Sequence, residues 1–171
     1  MPRPSRRAVL ALLLSPAACG FAPAYGPAGS GGGSGGGARG LAGAVRAADP
    51  DTDDGFAFVA HLEQRLGRPA AAAYDLSYAI ETEEVALAID DSNNITRFNI
   101  EGRLTWALRP AGGDPEAAPL AAGVERSFTG YAATGSTIST FESERDARRR
   151  LMVILADAVV ARLLVLAPGW S

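Results

Sequence analysis

Cysteine, histidine and lysine are the scarce residues of this 171-residue chain, which has one cysteine, one histidine and no lysine. A lone Cys19 excludes a disulfide within the chain. A lone His61 has no second histidine or cysteine with which to share a metal, and no Ser-His-Asp set forms beyond it and scattered serines. It reads as a packing or surface residue. With no lysine, all 16 basic residues are arginine, a bias that a GC-rich genome explains. The glycine run that ends at Gly37 is followed by no Lys-Ser or Lys-Thr, so it is no phosphate-binding loop. Long hydrophobic runs are missing too. Ala8 to Leu14 gives seven apolar residues, and a helix needs about 20 to span a bilayer.

What stands at the N-terminus instead is an export signal, residues 1–18. Arg3, Arg6 and Arg7 form a basic start, Ala8 to Leu14 an apolar run, and Ala17-Ala18 the small residues before a cleavage point. Cys19 directly after two alanines resembles the bacterial lipobox, which implies a cut before Cys19 and a lipid on its sulfur. Pro16 stands where that pattern usually has Leu. Ser5 to Leu10 also resembles a twin-arginine export motif, so the export route stays open. Loss of the three signal arginines leaves 13 basic against 19 acidic residues, a net charge of about −6, which argues against general nucleic-acid binding.

Residues 19–40 read as the lipidated cysteine and a flexible tether. The Gly/Ser run from Ala28 to Gly37 has nothing apolar to bury. Residues 41–171 are long enough for one domain with a real core. Leu41 to Ala48 is expected to be a weak strand. From Gly55 to Gly67, Phe58, Val59, Leu62 and Leu66 recur at helical spacing, and Gly67 and Pro69 stop the helix. Tyr74, Leu76, Tyr78 and Ile80 then alternate on one strand face, whereas Val85, Leu87 and Ile89 continue in the opposite phase. A bulge or break over Glu81–Glu84 is expected to absorb that shift. Asp90 to Asn94 suits a hairpin connection.

The cleanest half-buried strand follows, with Phe98, Ile100, Leu104 and Trp106 alternating with Arg97, Asn99, Glu101, Arg103 and Thr105. After a loop over Pro110–Pro119, a strand from about Leu120 to Ala133 puts Val124 and Phe128 on one face, and Glu125, Ser127, Thr129 and Tyr131 on the other. The capping box Ser139-Thr140-Phe141-Glu142 is expected to start the last helix, which runs to about Ala167. Its second half is apolar on most sides, as in a helix held between a sheet and something else. Asp157 and Arg162 argue against a membrane span, since each would cost about 2.5–3.5 kcal/mol at a bilayer centre.

The predicted fold is therefore α+β. It is a two-layer sandwich with a four-stranded sheet and two helices on one face, in the order β-α-β-β-β-α. Nothing in it calls for a cofactor or a metal. The acidic groups Glu81, Glu83, Glu84 and Asp90, Asp91 lack calcium-loop spacing and read as solvated turns. Arg145, Arg148, Arg149 and Arg150 interleave with Glu142, Glu144 and Asp146 and read as a solvated helix face. A non-catalytic binding module is the expectation.

The run Cys19-Gly20-Phe21-Ala22-Pro23-Ala24-Tyr25-Gly26 resembles the mature start of alphaproteobacterial LPS-assembly lipoproteins of the LptE family. Leu66-Gly67-Arg68-Pro69 running into Tyr74-Asp75-Leu76 is similar as well, as are Asn94 to Ile100 and Ser143 to Ala147. The order of these motifs carries the likeness more than any one of them. The resemblance implies a lipoprotein on the periplasmic face of the outer membrane. It would plug and help assemble the LptD β-barrel and assist delivery of lipopolysaccharide to the cell surface. Gly20 after the cysteine fits outer-membrane sorting. Arginine is a natural partner for the anionic groups of lipopolysaccharide. Facing direction makes Arg97 and Arg103 the candidates, with Arg126 behind them. Another small periplasmic lipoprotein, such as an auxiliary subunit of a lipid transporter or an activator of a cell-wall synthase, is the alternative reading.

Overall fold

The computed structural model of the chain describes residues 38–89, 91, 94–114 and 116–167. The signal, Cys19 and the tether up to Gly37 lie outside the described residues, as do Asp90 and part of the hairpin connection. The elements are α1 (Ala38–Leu41), β1 (Val45–Ala47), α2 (Asp53–Leu66), β2 (Tyr74–Ile89), β3 (Ile95–Pro110), β4 (Ala121–Ala132) and α3 (Thr137–Leu166). The sheet has the order β1-β2-β3-β4. β1 lies parallel to β2 through the α2 crossover, and the other pairings are antiparallel. Both long helices pack on one face, which is the expected α+β sandwich. The strand expected over Leu41–Ala48 is only three residues long, because Leu41 ends a single helical turn and is buried in the core instead.

α2 starts where the Thr52 hydroxyl accepts a hydrogen bond from the Gly55 amide, with Asp53 and Asp54 in the first turn, where the helix dipole favours acids. It ends at Gly67, whose φ of 83° is costly for any residue with a Cβ. Phe58, Leu62 and Leu66 form its buried stripe, and Val59 is partly buried beside them. α3 begins three residues before the anticipated capping box. Ser136 is the cap, and its hydroxyl accepts from the Ser139 amide, so Ser139 already lies inside the helix. The buried side of α3 carries Leu151, Leu155, Val159 and Leu163. Among the described residues its far side meets no second layer, and Ile154 and Val165 are exposed. Among the described residues no helix is long and apolar enough to cross a membrane.

β3 supplies the largest share of the sheet's contribution to the core, with Ile100, Leu104, Trp106 and Leu108 all fully buried under the helices. Gly102 sits in the same row because a Cβ there would come within 2.9 Å of Leu151. A side chain at this position would hold the last helix off the sheet. β2 does not break over Glu81–Glu84. Its pairing with β3 is unshifted from Tyr74 to Ala86, and the irregularity falls later, between Ala86 and Ile89. The reason is chemical. Thr82 and Glu84 keep the helix-side phase by finding polar partners there: the Thr82 hydroxyl accepts from Arg148, and Glu84 accepts from the Tyr131 hydroxyl. Val85 therefore stays on the uncovered face.

Candidate functional site

Among the described residues, the alternation of three long strands leaves the sheet face opposite the helices uncovered. Its rows follow from the register. Glu81, Arg103 and Arg126 lie side by side across β2, β3 and β4, and Glu83, Glu101 and Phe128 form the next row. Ala79, Thr105 and Val124 flank the first row on the other side. Val85, Asn99 and Gly130 follow the second.

All three sequence-predicted arginines reach this face, but they do not form one site. Arg103 and Arg126 are direct cross-strand partners. Arg97 lies six residues from Arg103 along the same strand, about 20 Å away at strand rise. It lines a shallow pocket with Leu87, Asn99 and Phe128. Arg103 has one weak ion pair, to Glu81 at 3.9 Å, and among the described residues Arg97 and Arg126 have none.

Two features of the face were not anticipated from sequence. The first is its apolar content: Phe128 is 64% exposed and Leu87 52% exposed, with Val124 also exposed two rows along β4 from Phe128. Strand β4 reverses the usual rule, since Thr129 and Tyr131 are buried while Val124 and Phe128 point away from the core. Thr129 can be buried because its hydroxyl donates to the Ala147 carbonyl at 2.9 Å. The second feature is the pairing of like charges. Glu83 faces Glu101, and Arg103 faces Arg126. Directly opposed side chains have Cβ atoms about 4.5–5.5 Å apart, where like charges destabilise the sheet. The out-of-phase apolar residues Val85 and Leu87 were the visible signal of an apolar outer face.

Several other charged groups pair within the fold. Arg148 bridges Asp54 at 3.4 Å and Glu144 at 3.0 Å. Burial works against its charge, but the two carboxylates overcome this and hold its pKa above the ordinary arginine value. Arg149 and Arg150 both pair with Asp146. His61 meets Asp157 at 3.1 Å, and Arg65 meets the same carboxylate, so the histidine joins the two long helices. At one end of the sheet the Tyr131 hydroxyl donates to Glu84 at 2.5 Å. Burial, then the Glu84 hydrogen bond and charge, push the phenol pKa well above its usual value. Among the described residues, no group of three His, Cys, Asp or Glu could hold a metal ion.

No protein-family model matches the chain, and no curated protein sequence matches it. Its fold is similar to that of solved lipoprotein structures. A chain designated a lipoprotein from Caulobacter crescentus superposes with a TM-score of 0.63 at 18% identity, over 78% of this chain and 96% of that one. Rare lipoprotein B from Shewanella oneidensis gives a TM-score of 0.53 at 10% identity, over 71% and 92% of the two chains. A minor lipoprotein from Acinetobacter baumannii gives 0.51 at 10% identity, over 71% and 89%. At these identities the likeness is one of fold.

Proposed function

We propose that this protein is a lipoprotein on the periplasmic face of the outer membrane, anchored through Cys19. In this reading it plugs and helps assemble the LptD β-barrel and assists lipopolysaccharide delivery. The observation that carries the reading is a fold shared over nearly the whole length of a lipoprotein. That fold joins a sequence whose one cysteine follows an export signal. The LptE-like motifs supply the barrel partner. The chemistry of the described face is consistent with a binding role, since its charged groups lie on an open sheet, with Arg97, Arg103 and Arg126 among its exposed cations.

The test is recovery of the partner from outer membranes. Tagged protein should retain LptD through detergent extraction and washing. If LptD is present in the extract but absent from the eluate, the partner assignment is wrong. Mass spectrometry of the mature N-terminus checks the anchor separately, and an unmodified Cys19 removes it.

A further inference from the structure

Three of the most exposed apolar side chains lie together on the helix layer. Ile138, Phe56 and Phe141 are 78%, 60% and 59% exposed. Phe56 and Phe141 line a groove of about 610 Å³ between the first turns of α2 and α3, and Ile138 stands one turn before Phe141. Arg148 meets Asp54 near the start of α2, and Asp157 meets His61 and Arg65 further on, so the two helices run parallel along the groove. An apolar surface rimmed by charge marks an interaction site.

The charges of the groove are balanced. Its lining sets Asp53, Asp54 and Glu144 against Arg145, Arg148 and Arg149. Asp54 and Glu144 both hold Arg148, and Asp146 holds Arg149. Asp53 and Arg145 are left with no ion pair among the described residues. Glu142 does not alter the balance, because it lies on the β4 side of α3 with Gly130 and Tyr131. Asp49 and Asp51, ahead of α2, lie toward Tyr78.

That balance narrows the occupant. A cationic surface would lose at Arg145, and an anionic one, such as a phosphate-rich lipid layer, would lose at Asp53. A second copy of the chain carries both signs. The Asp54–Arg148 bridge sets Asp53 and Arg145 within about one turn of the same height across the groove. A two-fold axis along the groove then brings Arg145 of each copy to Asp53 of the other, the self-complementary pairing that an isologous contact needs. The same rotation lays Phe56 and Phe141 of one copy on the helix layer of the other and takes them out of water.

We propose that the groove between α2 and α3 is a homodimer interface, with reciprocal Asp53–Arg145 ion pairs at its centre. This goes beyond the barrel-partner reading and does not depend on it.

The test is charge exchange, read by sedimentation equilibrium of the mature chain with Cys19→Ser, which keeps lipid and thiol out of the measurement. The parent chain should dimerise in the micromolar range. Asp53→Arg and Arg145→Asp, each alone, should self-associate at least about tenfold more weakly. Mixed in equal amounts they should pair as well as the parent, because each changed side chain then meets its opposite. Arg145→Gln should fall between, and Val165→Ser, near the other end of α3, should behave as the parent does. Undiminished association of either charge-reversed chain overturns the proposal, as does a mixture that stays monomeric while both chains melt cooperatively. If either fails to melt cooperatively, Arg145→Gln decides, and association equal to the parent's overturns the proposal. A parent chain that stays monomeric into the millimolar range also overturns it, and assigns the groove to a different molecule.

Discussion

The two faces of the sheet are made from the same strands and obey different rules. On the helix side of β3, Ile100, Leu104 and Trp106 are buried, and the polar atoms nearby are matched. The Trp106 indole nitrogen lies 3.5 Å from Glu125, which also receives Arg162 at 3.4 Å. Between Ile100 and Leu104 on the same strand, Glu101 and Arg103 face outward, Glu101 beside Glu83, and Arg103 between Glu81 and Arg126. The covered face is optimised for folding. The uncovered face leaves charged and apolar side chains in water. Substitution on each side should reveal the difference in stability.

The largest effect belongs to the covered face. Leu104→Ala empties a fully buried position and should lower stability by about 2–5 kcal/mol in chemical denaturation. Gly102→Ala tests the close approach of α3. Its Cβ would meet Leu151 at 2.9 Å and Leu155 at 3.1 Å, and such overpacking should cost about 1–3 kcal/mol. Tyr131→Phe removes the hydrogen bond to Glu84 and should cost about 1 kcal/mol at neutral pH.

The same phenol predicts a pH dependence. Its folded pKa is raised, so its contribution is complete below the unfolded value of about 10 and is lost as pH rises through the folded value. Alkaline melting curves of Tyr131→Phe should lack that part of the decline. The smallest effect is expected on the uncovered face, where Phe128→Ser should change stability by no more than about 0.5 kcal/mol in either direction. A loss as large as that of Leu104→Ala would erase the contrast between the faces.

How legible this was from sequence differs element by element. β3 could be read residue by residue, because its apolar and polar residues alternate without exception around Gly102. The α2 stripe of Phe58, Leu62 and Leu66 was equally clear, with Gly67 as its stop. β2 was misread because its apolar residues change phase at Glu81–Glu84. The expectation was that apolar residues always face the core, which requires the strand to shift. The strand instead stays in register, since Arg148 and Tyr131 provide partners for Thr82 and Glu84 that lie far away in sequence.

The start of α3 was placed three residues late because Ser139 and Glu142 match the capping pattern, while Ser136, the real cap, has Ser139 at the third position. Facing direction located Arg97 and Arg103 on the correct side of the sheet, whereas Arg126 joins them because β4 turns its Val124 and Phe128 face outward. The pairing of Arg103 with Arg126, and of Glu83 with Glu101, depends on the register between strands, which no single strand encodes.

The contrast between the faces is tested most directly by chemical denaturation of Leu104→Ala and Phe128→Ser side by side. A loss of about 2–5 kcal/mol from the first and no more than about 0.5 kcal/mol from the second is the expected result. Equal losses from the two would contradict it, and would mean that the outer face carries as much of the fold's stability as the covered one.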